Sequence, residues 1–410
     1  MFVRSNVIPW APAALVVISL LTTGCAGHED TASAPQATAS ASAPHGYVEG
    51  AQEKAEQQSR LLLNDPATGD TRVLDLITGT THKVSRTTGT TGLTTDGRFG
   101  YFHTAGGTRV LDGGAWMVDH GDHVHYYSAA IRDVGRLPGG PGSRVRSDAA
   151  VTVVTDEEGR TRTYRRADLE KGKVGSGRTL PGTHAGAVVP YAEHLLGVTD
   201  DGKVAVYDRE GRRAESPDEE CENPRGDAVT RRGVVLGCAD GALLVREDDG
   251  TFTAEKIPYG SDVAEAERAT AFRHRPGSDT LTAPSGKRAA WVLNVGERTW
   301  TRVKTGSVVC ANTAGEGSVL IVLETDGALH GYDIATGKKV SRTERLLTGV
   351  PDVGREGSDA GPVIEVDRSR AYLNDPKGTR VYEIDYNDNL RIARTFALDV
   401  EPALMVETGR

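Results

Sequence analysis

The sequence predicts an all-β chain, and three observations predict it. Short stretches rich in Val, Leu, Ile and Tyr alternate with glycine-containing turns from about residue 60 to the end. Three of these stretches resemble one another: "VTDDGKVAVYDREG" (198–211), "GCADGALLVREDDG" (237–250) and "LETDGALHGYDIATG" (323–337). Each reads as strand, Asp-Gly turn and strand, because that turn needs positive φ at low steric cost. Finally, "LLLNDPATGDTRVLDL" (61–76) and "AYLNDPKGTRVYEID" (371–385) repeat the Leu-Asn-Asp-Pro turn at opposite ends of the chain. Turn glycines recur at Gly69, Gly107, Gly159, Gly202, Gly241, Gly286, Gly327 and Gly378, 38 to 52 residues apart. Four short strands in a period of about 40–50 residues are the signature of a β-propeller, so eight four-stranded blades are expected, with seven as the alternative count. The C-terminal "EPALMVET" (401–408) is then the missing strand of the first blade, which leaves no open edge.

Residues 1–25 read as a lipoprotein signal peptide. Arg4 precedes an apolar run over 7–21, and Thr22, Thr23 and Gly24 lead to Cys25, the expected lipid-attachment site. Residues 26–56 are mostly Ala, Ser, Thr and Pro with no apolar periodicity, and read as a disordered tether. At its end "GAQEKAEQQSR" (50–60) is the one short amphipathic helix expected. Residues 57–410 form the propeller domain, an exported monomer. A formal charge of −9, from 48 basic and 57 acidic residues intermingled along the chain, argues against nucleic acid as a partner.

With Cys25 lipidated, Cys221, Cys238 and Cys310 allow three pairings in an oxidising compartment. Cys221–Cys238 is favoured because the two flank one short strand-turn segment, which leaves Cys310 as a buried thiol.

The chemistry concentrates in "DHGDHVHYY" (119–127), where three of the chain's 11 histidines fall within six positions. It lies in the widest interval between turn glycines and reads as an insertion. His123 and His125, two apart, share one face of an extended segment, and Gly121 allows the bend that brings in His120. Imidazole is a preferred zinc ligand, and Asp119 or Asp122 can ligate or orient a histidine. His184, at a strand start, is expected to complete the site. His194 reads as structural, and His82, His103, His274 and His330 as lone surface or packed residues. No G-x-S-x-G elbow, H-E-x-x-H helix or phosphate-binding glycine loop occurs, so the chain is not expected to be an enzyme. An interaction scaffold and a metal-assisted hydrolase or lactonase are the competing classes.

The stretch "DGRFGYFHTAGGTRVLDGGAWMVDHGDHVHYY" resembles the secreted zinc metallochaperones of the AztD type, and the similarity extends to "TDGALHGYDIATGK" and "RAYLNDPKGTRVYEID". The resemblance implies a β-propeller that holds Zn²⁺ and passes it to the solute-binding protein of a zinc import transporter. His120, Asp122, His123 and His125 match the family's motif by position. Two positions depart from it: Ala185 follows His184 where the family has a second histidine, and Arg225 stands where it has histidine before glycine.

Overall fold

The middle strands are apolar on both faces, and this decides how the chain packs. The computed structural model describes residues 47–120, 123–350 and 359–410. Cys25, the signal segment and Asp122 lie outside the described residues. The chain is all-β. Among the described residues the helices are one turn of α-helix at Arg166–Glu170 and a 3₁₀ turn at Glu265–Glu267. No helix there is long and apolar enough to cross a membrane.

Eight antiparallel sheets follow one another along the described chain, the serial arrangement of a β-propeller. The first joins Arg60–Asn64, Thr71–Asp75 and Thr81–Val84 to Leu404–Thr408 from the C-terminus. The terminal strand pairs in full register, from Arg60↔Thr408 to Asn64↔Leu404, as the sequence led us to expect. Six of the eight sheets have four strands, and two have three. In those two, the isolated bridges Tyr207↔Arg213 and Arg273↔Thr282 stand where a fourth strand was expected.

Each of the eight turn glycines falls in the hairpin between the second and third strand positions of a different sheet. Gly202 and Gly327, each following Asp, take φ of 84° and 79°, where a side chain would be strained. In the last sheet the positive φ belongs to Thr379 and not to Gly378.

Side chains alternate between the two faces of each sheet. Leu61, Leu63 and Leu74 pack with Tyr372 and Val381 of the last sheet, whereas Leu62 and Val73 pack with Phe102 and Leu111 of the second. Val234 and Leu236 meet Leu196 and Val206 of the preceding sheet, and Val235 meets Leu281 and Leu293 of the next. Apolar clusters of this kind join every sheet to its successor, and the eighth to the first. Each fully buried Leu or Val contributes roughly 1.5–3 kcal/mol, so the stack is held by many equivalent contacts.

A ninth, three-stranded sheet lies outside this series: Gln52–Lys54, Val124–Ser128 and Ala115–Asp119. The expected helix at 50–60 is therefore corrected to a short strand, and the segment read as tether to residue 56 contributes structure. Gln52–Lys54 gains backbone partners from Val124–Ser128 that no local helix of so polar a segment would match.

Cys221 and Cys238 are disulfide-bonded, and Cys310 is a free thiol. Burial pushes the Cys310 thiol up to about 12. The bridge closes a loop with a sequence separation of 17, so replacing both cysteines with serine should cost about 3 kcal/mol in urea unfolding. Stability equal to the parent would show that the bridge adds nothing to the fold.

Glu407, on the C-terminal strand, is fully buried. Burial pushes its carboxyl up to about 8, outweighing Arg410 at 3.2 Å. Ionisation is thus easier in the unfolded chain, and the stability present at acid pH is lost as pH rises from about 4.5 to about 8. Glu407→Gln should melt above the parent at pH 8, with the gap closing by pH 4.5. A gap that does not change with pH would contradict this assignment.

Candidate metal centre

Val124–Ser128 pairs back on Ala115–Asp119, with Asp119 opposite Val124 and Val118 opposite His125. The hairpin is inserted between the third and fourth strands of the second sheet, Gly107–Asp112 and Arg132–Leu137. Its base is fixed. Trp116 and Tyr127 stack at 5.4 Å between ring centres, and the Arg98 guanidinium lies 3.6 Å over Trp116. Arg98 in turn pairs with Asp112 at 2.9 Å, both almost wholly buried, and Asp112 accepts the Gly114 N–H.

The histidines sit at the other end. His120 closes the turn by donating its backbone N–H to the His123 carbonyl at 3.0 Å. His120 and His123 are exposed, and His125 is half-buried. Their ring centres lie 4.9 to 5.3 Å apart. One nitrogen from each ring falls within 4.8 Å of the others. Four-coordinate zinc with bonds of about 2.0–2.1 Å places its ligand atoms about 3.4 Å apart. Small rotations of rings at an exposed turn are enough to draw the three nitrogens in.

Glu53 decides which nitrogen of His125 faces the cluster. Its carboxylate lies 2.6 Å from His125 Nδ1. A carboxylate only accepts, so Nδ1 donates its proton there and Nε2 is left to coordinate. Burial, then the charge on Glu53, raises the Tyr127 phenol above its ordinary value. The pairing of Glu53 opposite Tyr127 is what places the carboxylate. Sequence reasoning missed this residue, which is 72 positions from His125 and lies in a segment with no strand signal of its own.

His184 is not brought to these three. It is buried, its Nδ1 3.2 Å from the Thr161 hydroxyl and its Nε2 3.1 Å from the Tyr207 hydroxyl. Its ring also packs edge-on against Tyr207. Both nitrogens are thus engaged within its own surroundings, and its place in the predicted ligand set is corrected to a packed histidine. Arg225 pairs with Glu265 at 3.1 Å, and Pro224 lies near Gly186, each of the two next in sequence to one of the departures from the family motif.

His103 is a packed histidine, held between the hydroxyls of Thr94 and Thr108. Burial, helped by Arg146, lowers it to about 4. His194 donates from Nδ1 to the Ala192 carbonyl of its own turn at 2.7 Å, and lies edge-on to Phe252.

His330 is not the lone residue expected. It groups with Glu324 and Asp326, its Nε2 3.1 Å from Asp326 Oδ2 and 3.4 Å from Glu324 Oε2. These carboxylates already have cationic and hydrogen-bonding partners. Arg342 pairs with Asp326 at 3.1 Å, and Tyr332 and the Gly306 N–H donate to Glu324. The arrangement is an ion-pair network across one hairpin, whereas the His120 group brings three imidazoles together, with Glu53 paired to His125.

No family model matches the sequence, and no curated protein matches it. Solved structures do. The crystal structure of AztD from Citrobacter koseri is 17% identical and superposes with a TM-score of 0.70 over 86% of this chain and 98% of that one. Apo AztD from the same organism gives 15%, 0.69 and the same coverage. The dihydro-heme d1 dehydrogenase NirN is more distant, at 13% identity and a TM-score of 0.54 over 87% of this chain and 76% of that one. The chain has an AztD-type fold.

Proposed function

We propose that the chain is an exported zinc carrier, an eight-bladed propeller closed by its C-terminal strand, which takes Zn²⁺ at His120, His123 and His125. It hands the ion to the solute-binding protein of a zinc import transporter. The carrying observation is the group of three imidazoles at one hairpin tip, with Glu53 orienting His125. Imidazole nitrogen suits zinc, and three protein ligands leave a fourth position open. At an exposed tip that open position is reachable by a ligand from a partner, so the ion can pass by exchange of one bond at a time. The Cys221–Cys238 bridge supports an oxidising, extracytoplasmic location, and Cys25 is the proposed lipid anchor.

A second reading is a propeller scaffold with a degenerate metal site. Ala185 and Arg225, which both stand where the family has histidine, favour it.

Competition titration against a chromophoric chelator separates the two. His123→Ala with His125→Ala should abolish stoichiometric zinc, because one ring remains where three or four ligands are needed. Glu53→Gln should weaken zinc by roughly 10–100-fold through loss of the orienting carboxylate. His184→Ala should leave zinc affinity unchanged while lowering stability by about 1–3 kcal/mol. Undiminished zinc in the double alanine variant would leave the scaffold reading standing.

A further inference from the structure

Four turns on one rim of the sheet series enclose a second feature. Arg231 lies in the turn between the strands Asp227–Thr230 and Gly233–Cys238. Arg275 lies between the bridge residue Arg273 and the strand Thr280–Pro284, and Ser318 precedes Leu320–Glu324. Arg368 lies between Ile364–Val366 and Ala371–Asp375. Each is the turn between the first and second strand positions of four consecutive sheets, the fifth to the eighth, so the shared topology delivers them to the same side. Together with Tyr386 and Asn387 they line a cavity of about 540 Å³.

Three guanidiniums converge there, and guanidinium does not deprotonate in proteins. Among the described residues no carboxylate lies within ion-pair distance of Arg231, Arg275 or Arg368. The lining holds a single carboxylate, on Glu316. Three positive charges against one leave the cavity positive in a chain whose net charge is −9. Asp367, beside Arg368 in sequence, is already committed: one oxygen caps its own turn at Ser369 and Arg370, and the other accepts the Tyr372 hydroxyl. Arg275 is held in place by the Ala314 and Pro276 carbonyls, which present it to the cavity without neutralising it. Burial holds Arg275 below its ordinary value; Tyr386 and Asp367 act against that shift, and the guanidiniums of Arg368 and Arg231 add to it. The Ser318 hydroxyl on the same wall is buried and has no hydrogen-bond partner.

Gathering unpaired like charges at one solvent-open cavity adds repulsion that the fold does not need. The cost is offset when a ligand supplies the opposite charge, and the planar fork of arginine matches the two oxygens of a carboxylate or phosphate. From this geometry we infer that the rim cavity binds a small multivalent oxyanion, of which a polycarboxylate of citrate size fills the space better than a single phosphate. This site is independent of the histidine hairpin.

Isothermal titration of metal-free full-length protein, with citrate and inorganic phosphate in separate arms and ionic strength held with chloride, tests it. The parent should bind citrate saturably at one site, and phosphate more weakly. Arg231→Ser with Arg368→Ser should lower citrate affinity by at least tenfold. Both side chains are exposed, and without ligand this variant should melt no lower than the parent, since it loses repulsion and no ion pair. His123→Ala with His125→Ala should bind citrate as the parent does, which separates this site from the zinc reading. No saturable binding of either anion above the chloride background, or citrate binding undiminished in the double arginine variant, would overturn the proposal.

Discussion

A strand that is apolar on both faces cannot lie at a surface. Leu61, Leu62 and Leu63 are consecutive and fully buried, so the first sheet needs a neighbour on each side. The same holds for Val234 with Val235, and for the run Leu320–Glu324. Sheets built this way must stack in series, and the two ends of the series carry the same need as the middle. The chain meets it by packing its last sheet on its first and by returning Leu404–Thr408 to pair with Arg60–Asn64. The turns, the rims and the inserted hairpin all take their positions from that stack.

The histidine hairpin is a graded structure. At its base Trp116, Tyr127 and Arg98 tie it to the buried pair Arg98–Asp112, and towards its other end burial falls until His120 and His123 are exposed. Such a gradient holds three imidazoles near one another without enclosing them. The edge strand Gln52–Lys54 adds a carboxylate at the one histidine that is half-buried. An ion held by three ligands at an accessible tip is bound and still exchangeable, which is what a carrier needs and a structural zinc site avoids.

Much of the fold was legible because its signals are local. Glycine turns between strand-length apolar runs mark a hairpin in every sheet, three of them as Asp-Gly, and the Leu-Asn-Asp-Pro repeat marks the sheets that meet at the ends. The histidine cluster was legible for the same reason, since three rings within six positions need only one bend to meet. What was not legible depends on contacts distant in sequence. Glu53 reaches His125 through a strand pairing 72 residues away, and nothing in "AQEKAEQQ" announces a strand. His184 carried the right residue type at a strand start, but its partners Thr161 and Tyr207 come from neighbouring strands that satisfy both its nitrogens. The two missing edge strands, the fourth of one sheet at Arg213 and the first of another at Arg273, are each reduced to a single bridge.

The central claim is that the hairpin tip is where the metal resides. Crystals of zinc-loaded protein, measured on both sides of the zinc absorption edge, locate the ion without reference to any assumed ligand. The account predicts one strong anomalous peak about 2.0–2.1 Å from a nitrogen of each of His120, His123 and His125, with the Glu53 contact to His125 retained. A peak beside Glu324, Asp326 and His330, or none at the hairpin in a protein that holds one equivalent of zinc, would contradict it.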